Sequence, residues 1–336
     1  MHEALLYAKE ADGSLQCRLC AHYCAIHPEH HGICGVRENH GGTLFSRVYG
    51  KVIAAHIDPI EKKPLYHFHP GSQSFSIATV GCNFRCRHCQ NADISQSPHS
   101  SKNIPGRETT PEQVVNAATD AGCSSISYTY TEPTVFFEFA YDCARLARER
   151  GIKNVFVSNG YTSLEATRMI APFLDANNID LKGDDTFYRK LAGAKLQPVL
   201  DTIRLMKELG VWVEVTTLII PDWNDSDAFL RWAARFLVSV DPAIPWHVTQ
   251  FHPTHELLDK PRTPVSTLRR ARETGLAAGL KYVYEGNIPG EGGENTFCPQ
   301  CGATVLSRFG FSLRGIQMKN GRCAACNTFI EGVGLP

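Results

Sequence analysis

Along the middle of the chain, short apolar and β-branched runs alternate with longer helix-like segments. The runs are SFSIATV (74–80), SSISYTY (124–130), KNVFVSN (153–159), NNIDLK (177–182), VWVEVTTLII (211–220) and WHVTQF (246–251). Their length and composition predict strands. Between and after them, PEQVVNAATDAG, TVFFEFAYDCARLARERG, SLEATRMIAPFL, LQPVLDTIRLMKELG, DSDAFLRWAARFLVSV and TPVSTLRRARETGLAAGL predict helices. Pro111 stands at a first helical turn after Thr109 and Thr110, while Gly122, Gly151, Gly210 and Gly279 stand where helices end.

Six βα units in succession predict a parallel sheet with right-handed crossovers. KYVYEGN (281–287) adds a further strand. A doubly wound sheet fits this alternation, but its glycine-rich loop after the first strand is missing. Here the first strand runs into GCNFRCRHCQN, residues 81–91. The expectation is therefore an α/β fold with six βα units in a barrel-like arrangement, its chemistry at the C-terminal strand ends. Residues 71–287 form this core; 1–70 and 288–336 are cysteine-bearing appendages.

Composition adds three constraints. Lys plus Arg and Asp plus Glu are both 34, which argues against wholesale attraction to nucleic acid or anionic lipid. No apolar run approaches the roughly 18 residues of a membrane span, and MHEALLYAKEADG does not read as a signal peptide, so a cytoplasmic protein is expected. Of 13 cysteines, eleven are clustered: Cys17, Cys20, Cys24 and Cys34; Cys82, Cys86 and Cys89; Cys298, Cys301, Cys323 and Cys326. In a reducing compartment such groups read as metal sites rather than disulfides.

The middle group has three thiols, one short of a closed tetrahedral site. A cubane [4Fe–4S] cluster held by three cysteines leaves one iron open to bind something else. Zinc completed by His88 or a distant ligand, and a purely structural cluster, are the plainer alternatives.

Cys82-x3-Cys86-x2-Cys89 resembles the signature of the radical S-adenosylmethionine (SAM) superfamily. The resemblance implies a partial (βα)6 TIM-like barrel. It also implies a [4Fe–4S] cluster on Cys82, Cys86 and Cys89, with SAM chelating the open iron through its amino and carboxylate groups. The reduced cluster then cleaves SAM to a 5′-deoxyadenosyl radical. By the same resemblance His88 lies near the adenine. In YTYTEPT (128–134), Glu132 with Thr131 stands where glycyl-radical activases carry a Gly-Gly-Glu-Pro motif for the SAM amino group. Ser158 and Asn159 of SNGY match a run near the SAM ribose. That run begins with Asp in the activases, which use it for a monovalent cation; here Val157 replaces it. Asp180 and Lys182 match an Asp-x-Lys motif, and the lysine would face the SAM carboxylate. His252 of QFHP is a further SAM contact. Taken singly, Glu132 also reads as a helix N-terminal acid, Asn159 as turn chemistry, and Asp180 with Lys182 as an ion pair.

The C-terminal cysteines form C-x2-C-x21-C-x2-C, predicting structural zinc in a zinc-ribbon-like module; iron or an auxiliary cluster is the alternative. Arg308, Arg314, Lys319 and Arg322 within it read as a solvated charged face rather than a nucleic-acid surface. The N-terminal C-x2-C-x3-C-x9-C leaves zinc and a second cluster both open. The head cysteines, the segment KPLYHFHPG (63–71) and the cysteine loop together resemble the radical SAM enzyme of the AmmeMemoRadiSam system, a subgroup similar to pyruvate formate-lyase activating enzyme. In that case His67 and His69 lie beside the barrel, as core histidines or substrate contacts. The resemblance further implies a reductant such as flavodoxin or ferredoxin, and association with Memo-like and AMMECR-like proteins. The expected activity is hydrogen abstraction from an unidentified small molecule, cofactor or RNA. A glycyl-radical activase and a non-enzymatic iron–sulfur or zinc interaction module are the rivals. In the first reading the two metal modules cover the barrel mouth or hold substrate.

Overall fold

The computed structural model describes residues 1–100 and 103–336. Its centre is one eight-stranded sheet: β1 (Ala54–Pro59), β2 (Gln73–Ala78), β3 (Ser125–Tyr128), β4 (Lys153–Ser158), β5 (Ala176–Asp180), β6 (Trp212–Ile219), β7 (Trp246–Gln250) and β8 (Val283–Gly286). The strands lie side by side in chain order, and no pairing joins β1 to β8 among the described residues. From β2 to β8 every neighbour is parallel, while β1 runs antiparallel to β2. Strict chain order leaves no reversal point of the kind that makes a doubly wound crevice.

The crossover helices sit where the pattern predicts them: α1 (Pro111–Asp120), α2 (Phe137–Glu149), α3 (Leu164–Ile170), α4 (Gln197–Glu208), α5 (Asp227–Val240) and α6 (Val265–Ala277). Helix α1 starts in a capping box. The Gln113 backbone N–H donates to Thr110 Oγ1, and the Gln113 side chain accepts from the Thr110 N–H, with Pro111 in the first turn. The four glycines after α1, α2, α4 and α6 all take positive φ. The stretch before α2 is instead a 3-10 turn, Pro133–Phe136, because Pro133 supplies no N–H and Glu132 caps the turn. Covered by helices, β6 and β7 are buried along nearly their whole length.

Two features lay outside the sequence pattern. Strand β1 comes from within residues 1–70 and widens the main sheet. Arg308 is not on a solvated face. It is wholly buried beside an equally buried Glu61, 3.5 Å away, and donates to the Tyr66 carbonyl at 2.8 Å and the Thr296 hydroxyl at 2.8 Å. This pairing, with a bridge between Phe68 and Val333, docks the C-terminal module on residues 61–69. His67 is a core histidine there, 2.6 Å from the Glu331 carbonyl and 2.5 Å from the Tyr284 hydroxyl. Its backbone N–H, like that of Tyr66, donates to the Glu214 carboxylate in the first half of β6. The module therefore stands toward the N-terminal strand ends rather than over the mouth.

The N-terminal segment packs at the opposite end. The Ala21 N–H donates to the Tyr161 carbonyl and the Ser163 N–H to the Leu19 carbonyl, each at 3.1 Å, just beyond β4. Gly81, at φ 105°, lets this segment close in: a Cβ there would meet Val36 at 2.7 Å. Among the described residues, no helix is long and apolar enough to cross a membrane.

Candidate active site

The cysteine loop leaves β2 at its C-terminal end and is fastened from three sides. The Arg85 and Arg87 N–H groups each donate at 2.9 Å to the carbonyls of Ala192 and Leu191, which lie in a π-helical turn, Tyr188–Ala192. The Glu256 N–H returns to the Arg87 carbonyl at 2.9 Å. Asn91 donates to the Tyr130 carbonyl at 2.7 Å, and Gln96 to the Phe84 carbonyl at 3.1 Å. A loop held this way presents its thiols in one arrangement.

Glu132 joins the ends of β3 and β4. Its buried carboxylate accepts from the Thr134 N–H (3.0 Å), the Thr134 hydroxyl (2.6 Å), the Ser158 hydroxyl (2.8 Å) and the Asn159 N–H (2.8 Å). Burial raises its pKa, and these donors work against that rise. Thr131 turns its hydroxyl to the Thr79 carbonyl at 2.8 Å, fixing the β3 end to the β2 end. The Asn159 amide donates to Asn83 Oδ1 at 2.7 Å and reaches Cys82 Sγ at 3.8 Å. The Phe84 N–H also donates to Cys82 Sγ, at 3.3 Å. Cys89 Sγ lies 3.4 Å from the Ser95 hydroxyl.

Lys182 and Asp180 form an ion pair at 2.7 Å past the end of β5. Burial opposes the ammonium charge, but Asp180 and Cys86 outweigh it, and the pKa rises. Burial pushes the Cys86 thiol up to about 12, with Lys182 opposing. Burial, then the Glu132 carboxylate, drives Cys82 well above its ordinary value. A coordinated metal replaces the proton that these thiols would otherwise keep. His88 is buried against Phe187, ring centroids 5.4 Å apart, and burial followed by Lys182 pulls its pKa down to about 3, so the ring is neutral. His252 is exposed beyond β7. The structure thus sets Cys82 beside Glu132 and Asn159, and Cys86 beside Lys182, while His252 stands exposed.

The geometry fits a cluster at this loop. Asn83 Nδ2 and His88 Nδ1 are buried without hydrogen-bond partners, and the Phe84 N–H and the Asn159 amide already face the Cys82 sulfur. Among the described residues the three sulfurs do not gather within 4.8 Å of one another, as one zinc would require. The model of the family described as "Radical SAM superfamily" matches residues 76–233, from β2 into α5. An uncharacterized protein of Methanocaldococcus jannaschii is 46% identical over 334 residues, 98% of this chain and 99% of its own length. The chain belongs to the radical SAM superfamily. It is also 22% identical to the pyruvate formate-lyase-activating enzyme of Clostridium pasteurianum, over 61% of this chain and 89% of that one. The crystal structure of a radical SAM methyltransferase from Sphaerobacter thermophilus shares the fold, with a TM-score of 0.51 at 18% identity over 66% of this chain and 68% of that one. The family implies a [4Fe–4S] cluster and SAM.

At the other end of the radical SAM chain, Cys298, Cys301, Cys323 and Cys326 bring their sulfurs within 4.8 Å of one another. The Cys298–Cys326 and Cys301–Cys323 pairs stand at 3.5 and 3.8 Å. The Thr328 hydroxyl, 3.2 Å from Cys326, is the main cause of that thiol's fall to about 6.

Sequence reasoning passed over Asn83 and Tyr188. The Tyr188 hydroxyl donates to the Asp180 carbonyl at 3.1 Å and accepts from the Lys182 N–H at 3.0 Å, setting the Asp-x-Lys backbone. Asn83 had one usable signal, its place directly after Cys82. Tyr188 had none.

Proposed function

We propose that this protein is a radical SAM enzyme that abstracts hydrogen from a small molecule, cofactor or RNA. The observation that carries the reading is the convergence of three thiols at the β2 end with Glu132, Asn159 and Lys182 from the ends of β3, β4 and β5. Cys82, Cys86 and Cys89 would hold the cluster, which, when bound, supplies the electron for reductive cleavage of SAM. Lys182 holds a positive charge for the SAM carboxylate. Ser158 and Asn159 serve the ribose side, Glu132 with Thr131 the amino group, His88 the adenine, and His252 the rim. Because the Glu132 carboxylate already accepts four hydrogen bonds, its first effect is to hold the neighbouring donors in place.

The finer assignment is a partial (βα)6 barrel at 71–287, a cysteine-rich segment at 1–70 that lends β1, and a zinc-ribbon-like module at 288–336. Zinc is assigned to Cys298, Cys301, Cys323 and Cys326 on the sulfur spacing, since tetrahedral Zn–S bonds of about 2.3 Å set sulfurs about 3.8 Å apart. A cytoplasmic location, an oxidoreductase-like chemistry with flavodoxin or ferredoxin as reductant, and Memo-like and AMMECR-like partners complete the reading.

The similarity to activating enzymes keeps a glycyl-radical activase as the second reading. Against it stand Val157, where the activases carry Asp, and the N-terminal segment packed at the mouth end. Tracking deuterium from candidate substrates into 5′-deoxyadenosine separates the two. Label arriving from a partner protein's glycine favours the activase; label arriving from a small molecule or RNA favours the first reading.

A further inference from the structure

We infer that Cys17, Cys20, Cys24 and Cys34 hold a second [4Fe–4S] cluster, fully thiolate-ligated, walled off from the radical SAM loop by Asn83. All four side chains line one pocket, together with Asn83, Arg37 and apolar residues such as Ile26 and Val135. All four thiols are free, with no disulfide among them.

Sulfur spacing separates zinc from a cluster. One zinc draws four thiolates to about 3.8 Å from each other. A cubane spreads them wider, because each thiolate binds a different iron. The chain carries its own reference for each case. The C-terminal four gather within 4.8 Å, and among the described residues no three of the N-terminal sulfurs do, nor do Cys82, Cys86 and Cys89.

A buried donor supplies a second, independent observation. Arg37 is 1% exposed and lines the pocket, and its Nε has no hydrogen-bond partner. Arg37 is held by Glu138 at 3.1 Å and by the Leu5 carbonyl, which leaves its remaining N–H groups for an acceptor. Cluster sulfides and thiolates are such acceptors, and a buried unpaired guanidinium N–H is costly without one.

The pocket adjoins the SAM site directly. Asn83 follows Cys82 in the chain, takes the Asn159 amide on its Oδ1, and gives its carbonyl to His22 Nε2 at 2.8 Å. Thr134, which also lines the pocket, donates to Glu132. Such proximity suits a one-electron relay. The second cluster would take one electron from a low-potential donor of the ferredoxin or flavodoxin class and pass that electron to the cluster at Cys82, Cys86 and Cys89, returning to its oxidised state. This role rests on the function proposed above; the presence of the cluster does not.

The test uses full-length protein reconstituted anaerobically with iron and sulfide. The variant C82A/C86A/C89A should keep about four irons and four sulfides per chain, and after dithionite should give an EPR signal that added SAM leaves unchanged. The variant C17S/C20S/C24S/C34S should lose that signal and retain one that SAM alters. An iron-free C82A/C86A/C89A protein, or one zinc on the N-terminal cysteines in place of iron, overturns the inference. If instead the SAM-insensitive signal is present but no SAM-sensitive signal is found in wild-type protein, the function proposed above fails and the second cluster stands.

Discussion

Replacing Arg308 by methionine removes the charge that pairs with Glu61 where both side chains are wholly buried. Arg308 also fills space over the Tyr66 ring, 4.4 Å from its centroid, and methionine keeps much of that bulk. What the variant leaves behind is a buried carboxylate whose Oε1 keeps only the Gly71 N–H, at 2.8 Å, and whose Oε2 has no partner. Breaking one side of a buried pair costs about 3–5 kcal/mol, mostly the uncompensated charge. Removing both charges costs less, so R308M/E61Q should be more stable than R308M alone. Burial already raises the Glu61 pKa above 4.5, with Arg308 opposing, and without Arg308 it rises further. With the folded pKa above the unfolded one, the penalty is full above the folded pKa and is relieved as pH falls toward 4.5. R308M should therefore lose less stability at pH 5 than at pH 8, relative to wild type. Anaerobic urea unfolding of metal-loaded protein, followed by circular dichroism at both pH values, measures this. A loss under about 1 kcal/mol in R308M, or a double variant weaker than the single, would refute the reasoning.

Three other perturbations follow from the structure. Lys182→Met should leave iron content unchanged and raise the SAM dissociation constant about 10- to 100-fold, since it deletes a half-buried charge facing the site; a change below about twofold in a binding titration removes Lys182 from the SAM site. Burial, partly offset by Glu214 and the Glu331 carbonyl, holds His67 at about 4 against an ordinary 6.5. The unfolded chain thus protonates first, so stability is full above pH 6.5 and falls by up to about 3 kcal/mol as pH drops to 4, a slope that His67→Asn should flatten in unfolding curves. Substituting Cys298 and Cys301 by alanine should release about one zinc per chain and lower the melting temperature; elemental analysis showing unchanged metal would end the zinc assignment.

The βα units were legible because apolar runs set the strands, Pro111 marks the start of α1, and glycines mark the ends of α1, α2, α4 and α6. The cysteine loop was legible because spacing alone marks it. Strand β1, AAHIDP, was not: it has no clean alternation, and its partner β2 supplies the order. Arg308 was missed because a basic residue among other basic residues looks solvated. Its burial depends on Glu61, Tyr66 and Thr296, which are scattered over the chain. The polar strand ends were found one by one, but the sharing of the Glu132 carboxylate among Thr134, Ser158 and Asn159 is a product of register between β3 and β4. The cluster inferred at the head cysteines rests on the pocket, because C-x2-C-x3-C-x9-C suits zinc and iron alike.

One measurement bears most directly on the central claim: chromatographic detection of 5′-deoxyadenosine after anaerobic reconstitution, dithionite reduction and addition of SAM. Wild-type protein should form it, and C82A/C86A/C89A should form none. Wild-type protein that carries a SAM-sensitive cluster and still leaves SAM intact would contradict the account.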